Sequence, residues 1–181
     1  MTRGLIAESP DFFMWGTWSA SASDMGWLGV VDGDSWLGIG LTFLPIMATV
    51  TAVTLWLQVG RGSGATGSMV VFAFPIALGL SITNALSEEL IFRLCITEAL
   101  SPLASMTVIS LISAVIFGLP HWFGNPGKIP GVVLAGFMGW FLALSVMQTQ
   151  GLGWAVAIHW AQDVVIFTVL IAAGKAAKTA R

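Results

Sequence analysis

Three ionisable residues, Glu88, Glu89 and Arg93, interrupt a stretch of the sequence that is otherwise almost wholly apolar. A charged side chain at the middle of a membrane helix costs roughly 2.5–3.5 kcal/mol, so such residues usually have a function and a partner. On a helix, Glu89 and Arg93 are four residues apart and share a face, which favours an ion pair. Glu88 lies about 100° around the helix from Glu89. We therefore expect Glu89 to be neutralised and Glu88 to be free for chemistry.

Both histidines of the chain, His121 and His159, fall in apolar stretches and have a neighbour four residues away. Phe117 precedes His121 at this spacing, so its ring would shield one side of the imidazole. Asp163 follows His159, and a carboxylate near one ring nitrogen fixes the tautomer and leaves the other nitrogen free. Each pair alone also fits simple packing. Two histidines and a carboxylate cluster in one bundle can instead serve as partners for one another.

These residues form three motifs that follow one another along the chain. Residues 88–93 match the pattern EExxxR, residues 117–121 match FxxxH, and residues 159–163 match HxxxN/D. In this order and on separate predicted helices, they resemble the motifs of the CAAX protease and bacteriocin-processing family of intramembrane proteases. The resemblance covers about residues 68–170 and leaves residues 1–67 outside it. It implies that the protein is a glutamate-type intramembrane endopeptidase.

The resemblance also implies a role for each motif. Glu88 would be the general base, and His121 would help to bind and activate the attacking water. His159 and the residue at position 163 would stabilise the oxyanion, which is usually the larger contribution to the rate in a dry site. Glu89 and Arg93 would support the first motif. The candidate catalytic residues are Glu88, Glu89, His121, His159 and Asp163, and the supporting residues are Arg93 and Phe117.

Two positions depart from the pattern of the family. The family often has glycine directly after the motif arginine, where this chain has Leu94. Many members end the third motif with asparagine, whose amide can donate to an oxyanion, whereas this chain has Asp163. An ionised carboxylate only accepts hydrogen bonds. We therefore expect Asp163 to orient His159, unless it is kept protonated.

The same residues suit other chemistries. Glu88, His121 and His159 could bind zinc and leave an open coordination position. We favour a mechanism without a cofactor, because the chain lacks the HExxH helix typical of zinc proteases. His121 and His159 could instead be the axial haem ligands of a membrane b-type cytochrome, which would leave the acidic residues without a role. The polar cluster could also form a proton or substrate path, or a structural network.

Composition assigns the chain to the membrane proteins. It has 181 residues, of which 56% are hydrophobic and 9% are charged, whereas soluble domains carry about 25% charged residues. We predict an all-α polytopic membrane bundle of about five transmembrane helices. The net charge of −2 without a basic cluster argues against a nucleic-acid partner. The single cysteine, Cys95, excludes an internal disulfide, and we expect it to be a small core residue.

Turns rich in glycine, proline and polar residues divide the apolar region into predicted spans. The second span runs without a break through the EExxxR motif, and it is too long for one upright crossing. We therefore expect it to be tilted or to continue as an interfacial helix. Gly131, Gly136 and Gly139 in and beside the fourth span suit close helix packing. The predicted spans are residues 36–59, 68–100, 103–123, 132–147 and 154–173.

Basic residues predict the orientation in the membrane. Arg61, Lys128 and the basic tail at residues 175–181 lie at the same end of five alternating spans, and the positive-inside rule makes this end cytoplasmic. The acidic residues 1–35 would then lie outside the cell. Their start lacks the pattern of a cleaved secretory signal, so we expect none there.

The depths of the two histidines pose a geometric problem. Counted along straight helices, His121 lies near the cytoplasmic end of its span, whereas His159 lies nearer the other side. The difference is about 10 Å or more at 1.5 Å per residue. We expect tilt, a break in the helix after Pro120, or a different helix boundary to bring them together.

The predicted organisation has three regions. Residues 1–35 are an interfacial or flexible segment, residues 36–174 are the membrane-embedded helical domain with its motif-bearing core at 68–170, and residues 175–181 are a basic tail. The expected partners are membrane lipids and a peptide or protein substrate. Relatives that cut after a prenylated cysteine imply that this substrate could be lipid-modified. We expect an integral protein of a prokaryotic cell membrane, and the sequence leaves the oligomeric state open.

Overall fold

The computed structural model describes residues 15–124 and 126–180, and these residues form an all-α bundle. Their α-helices are α1 (Trp36–Gln58), α2 (Gly67–Glu89), α3 (Cys95–Leu100), α4 (Met106–Gly118), α5 (Lys128–Thr149) and α6 (Gly153–Thr179). Within this part of the chain, five helical segments are long and apolar enough to cross a membrane. They are Trp36–Gly62, Gly67–Leu100, Met106–Phe123, Lys128–Thr149 and Gly153–Thr179. The predicted helical membrane bundle is thereby confirmed.

Helices α2 and α3 form one continuous run, as predicted. A π turn at Leu90–Leu94 joins them, and in it the Cys95 N–H donates to the Leu90 carbonyl. The run of 34 residues would extend about 50 Å at 1.5 Å per residue, which exceeds the ~30 Å hydrocarbon core.

Cys95 is exposed, so its expected core position is wrong. It lies on an outward stripe with Ile91 and Ala99, one helical turn to either side.

Glycines bring α4 and α5 close together, as the glycines of the fourth span predict. A methyl group on Gly139 would lie 2.8 Å from the Ser113 carbonyl oxygen, which is closer than a side chain tolerates. Helix α5 begins at Lys128, before the predicted start at residue 132. The left-handed backbone of Gly127, with φ of 64°, turns the chain directly into the helix. The short connection holds the end of α4 against the start of α5.

Residues 15–35 fold over the end of the bundle where α5 meets α6. The Gly153 N–H donates to the Trp15 carbonyl at 3.0 Å, and Trp154 Nε1 donates to the Trp18 carbonyl at 2.9 Å. The described part of this segment is therefore packed on the helices, and its place at a membrane interface stays a prediction. Parts of three predicted features lie outside the described residues: residues 1–14 of the N-terminal segment, Asn125 in the turn before α5, and Arg181 of the basic tail.

The helices alternate in direction, so the basic residues collect at the end of the bundle opposite to residues 15–35. Helix α6 continues to Thr179 and includes Lys175 and Lys178 of the predicted tail. Lys175 Nζ lies 3.5 Å from the centre of the Phe72 ring in the first turns of α2. The end of α6 and the start of α2 therefore meet, as five alternating spans require. Which side of the membrane they face stays a prediction.

Candidate active site

A cavity of about 340 Å³ lies inside the bundle, with side chains from α1, α2, α5, α6 and the end of α4 around it. Glu88, His121, His159 and Asp163 all line this cavity. Three motifs that are far apart in the sequence therefore meet at one place. The remaining predicted residues, Glu89, Arg93 and Phe117, pack in or behind the same wall.

Glu89 and Arg93 form a buried ion pair behind the cavity. Arg93 Nη1 lies 3.3 Å from Glu89 Oε1, and both side chains are 0% exposed. This contact confirms the ion pair predicted from their four-residue spacing. Each charge compensates the other inside the bundle. Removing one partner would leave an uncompensated buried charge, which is strongly destabilising.

The carboxylate of Glu89 also holds His159. The Nδ1–H of His159 donates to Glu89 Oε1 at 2.6 Å, so Glu89 connects the first motif with the third. Asp163 Oδ1 lies 3.6 Å from His159 Nε2, which is longer than a hydrogen bond. The residue that fixes the His159 ring is therefore Glu89. Our expectation from the sequence that Asp163 would do so is wrong. A contact between α2 and α6 overrides the spacing along α6.

Phe117 packs at the centre of the three motifs and is 5% exposed. The guanidinium carbon of Arg93 lies 3.8 Å from the centre of its ring, within range of a cation–π interaction. The ring centres of His121 and His159 lie 5.0 Å and 5.8 Å from that of Phe117. The predicted packing of Phe117 on His121 is confirmed, and the same ring also contacts the guanidinium of Arg93.

His121 reaches the cavity because the helix ends before it. Helix α4 stops at Gly118, and His121 lies in a 3₁₀ turn, Leu119–Phe123. Its Nδ1 is 2.8 Å from the Phe117 carbonyl oxygen. A carbonyl only accepts, so Nδ1 carries the proton and Nε2 of the neutral ring is an acceptor. The expected break is thus present, although it begins at Gly118 and not after Pro120.

Glu88 is the carboxylate that faces the cavity. Its side chain is 31% exposed, and its Oε2 lies 3.6 Å from His159 Nε2. Sequence reasoning missed its closest partner, Asn84, whose Nδ2 lies 3.1 Å from Glu88 Oε1 and 3.0 Å from Asp163 Oδ2. The signal was available in part, because Asn84 is a polar residue one turn before Glu88 in an apolar helix. The link to Asp163 on α6 depends on packing that the sequence does not reveal.

Zinc at Glu88, His121 and His159 was the alternative that the sequence did not favour. Among residues 15–124 and 126–180, no three His, Cys, Asp or Glu side chains are grouped so as to hold a metal ion. The haem alternative leaves without a role the carboxylates of Glu88 and Asp163, each of which lies 3.6 Å from His159 Nε2. That the protein works without a cofactor stays a prediction.

Comparison with known proteins gives one match. A family model described as Type II CAAX prenyl endopeptidase Rce1-like matches residues 70–165. This range is just over half of the chain, and it contains all three motifs. Searches of curated proteins and of solved structures found no match.

Proposed function

The chain belongs to the Type II CAAX prenyl endopeptidase Rce1-like family, and we propose that it is an intramembrane endopeptidase with Glu88 as its general base. The observation that carries this proposal is the convergence of Glu88, His121, His159 and Asp163 on one cavity inside a membrane bundle. A carboxylate and two imidazoles around a shared space suit the activation of one water molecule.

In the proposed reaction, water lies between Glu88 and His121. The acceptor Nε2 of His121 positions the water, and Glu88 takes a proton from it while the oxygen attacks the peptide carbonyl carbon. Glu88 then gives this proton to the leaving nitrogen as the C–N bond breaks. The products are a carboxylic acid and an amine, and the carboxylate of Glu88 is restored.

His159 is proposed to stabilise the oxyanion through Nε2. To donate there, it must carry a proton on Nε2 while its Nδ1–H stays bound to Glu89 at 2.6 Å. The carboxylates of Glu88 and Asp163, each 3.6 Å from Nε2, add negative charge around the ring. A ring protonated on both nitrogens would donate more strongly to an oxyanion than a neutral one.

The substrate is proposed to be a peptide that carries an apolar group. Aliphatic and aromatic side chains of α1 and α5 form part of the cavity wall. This apolar lining suits a lipid-modified C-terminal peptide, as the name of the family implies. The lining residues from these two helices include Met47, Val50, Leu55, Leu134, Phe137 and Met138.

The variant Glu88→Gln tests the proposal. It keeps the shape of the side chain but removes the base, so we expect kcat/KM to fall about 10²–10⁴-fold. The measurement is cleavage of a fluorogenic peptide with a farnesylated cysteine by the protein in liposomes, beside the same peptide without the lipid. Glu98→Gln is the matched control, because it makes the same change on α3, away from the cavity. Wild-type cleavage rates in Glu88→Gln would remove Glu88 from the mechanism.

A further inference from the structure

Asn84 lies between the two carboxylates that face the cavity. Its Nδ2 donates to Glu88 Oε1 at 3.1 Å and to Asp163 Oδ2 at 3.0 Å. A side-chain amide has two N–H bonds, so each can serve one carboxylate. Ionised carboxylates only accept, and the nitrogen of Asn84 must therefore be the atom that faces both of them.

This bridge, formed by the Asn84 amide between Glu88 and Asp163, gives the two oxygens of Glu88 different surroundings. Oε1 accepts the N–H of Asn84, while Oε2 lies on the side of His159 Nε2 at 3.6 Å. Holding Oε1 restricts rotation of the carboxylate and leaves Oε2 to face the cavity. A base held in one orientation loses less entropy when it reacts.

The bridge also connects two helices. Asn84 and Glu88 are one turn apart on α2, whereas Asp163 is on α6, and these helices pack against each other along the bundle. Two carboxylates close together repel each other, and this repulsion is strong where water is scarce. A donor placed between them offsets it and keeps both at the cavity.

We propose that Asn84 is a positioning residue of the peptidase: its amide clamps Glu88 and Asp163 so that one Glu88 oxygen is presented to the water. This inference rests on the proposed function, since it needs Glu88 to be the base. Asn84 also lines the cavity, but the inferred role acts through the carboxylate of Glu88. Its effect should therefore appear in the chemical step and not in substrate binding.

The test compares four variants in the liposome cleavage assay. Asn84→Ala removes both donors, and Asn84→Leu removes them while keeping the same branched shape and number of heavy atoms. We expect kcat to fall about 10- to 100-fold in both, the range for losing hydrogen bonds to a charged group, with KM within about two-fold. Asn84→Asp should lose at least as much, because it puts a third carboxylate beside the other two. Asn84→Gln keeps the amide and should recover part of the kcat lost in Asn84→Ala.

Thr83→Ala is the control, because its hydroxyl bonds only to carbonyls of its own helix, such as Leu80 at 2.8 Å. We expect it to cleave at the wild-type rate. A purely structural role predicts that Asn84→Leu works as well as wild type, and that result would overturn the inference. So would a loss that appears only in KM.

The experiments distinguish a failure of the positioning role of Asn84 from a failure of the peptidase assignment. If Glu88→Gln is inactive and Asn84→Leu is fully active, the peptidase assignment stands and the clamp is wrong. If Glu88→Gln is active, the assignment itself fails. Should Asn84→Leu unfold, as judged by its melting temperature, Asn84→Asp decides, because its shape matches the native side chain.

Discussion

Two adjacent carboxylates in this protein have opposite environments. Glu88 is 31% exposed and faces the cavity, whereas Glu89 is 0% exposed, forms an ion pair with Arg93 and accepts a hydrogen bond from His159. Helical geometry alone predicted that only one of them would meet the arginine. It could not predict that Glu89 would also hold the imidazole, because that contact joins residues 70 positions apart in the chain.

The buried pair gives a stability prediction. Arg93→Met removes the cation and leaves Glu89 without its charge partner, so we expect the free energy of unfolding to fall by about 3–5 kcal/mol. The measurement is an unfolding titration in mixed micelles. Arg61→Met, at an exposed position, should change it by about 0.5 kcal/mol or less.

A double variant checks the reason for that loss. Glu89→Gln together with Arg93→Met removes both charges, so we expect the combined loss to be smaller than the sum of the two single losses. Strict additivity would mean that the two side chains do not stabilise each other.

At the level of helices, the sequence predicted the spans well and the turns between them poorly. The apolar runs and the glycine- and proline-rich breaks set the five segments, since membrane burial requires long apolar helices. The π turn at Leu90–Leu94 has no such signal. Pro120 signals the break that carries His121, but not that helix α4 already ends at Gly118. Each of these two turns contains a motif residue.

The close approach of Gly131 to the backbone of His121 allows a test of whether activity depends on the position of His121. A methyl group on Gly131 would lie 2.5 Å from the backbone oxygen of His121, so Gly131→Ala must displace the 3₁₀ turn. We expect at least a 10-fold loss of peptidase activity, because a displacement near 1 Å can cost about 10²-fold. The measurement is kcat in the liposome assay.

Gly79→Ala is the control for this change. Gly79 lies in α2 with nothing within 4 Å of the added methyl group, so we expect unchanged activity and equal or higher stability. Equal activity of the two variants would contradict the proposed constraint on His121.

The whole bundle has two unlike ends. Residues 15–35 cover the end where α6 begins, while Arg61, Lys128, Lys175 and Lys178 collect at the other. The prediction that this second end is cytoplasmic follows from its charge.

Cysteine labelling tests this orientation. In a Cys95→Ala background, Ser23→Cys should react with a membrane-impermeant maleimide on intact cells, whereas Ala65→Cys and Thr179→Cys should react only after the membrane is opened. The physical reason is the positive-inside rule. The reverse pattern would invert the topology, and labelling of all three from one side would contradict five crossings.

Helix α1 has a consequence for how selectivity could diverge among relatives. It lies outside the matched residues 70–165, yet it supplies Met47, Thr51 and Leu55 to the cavity. Thr51 also accepts the Gln162 amide at 2.7 Å. The proposed catalytic groups lie inside the matched range, whereas this wall of their cavity lies outside it. If the proposed function holds, we expect that replacing the first helix with that of a homologue will change which substrates enter and leave the reacting groups the same.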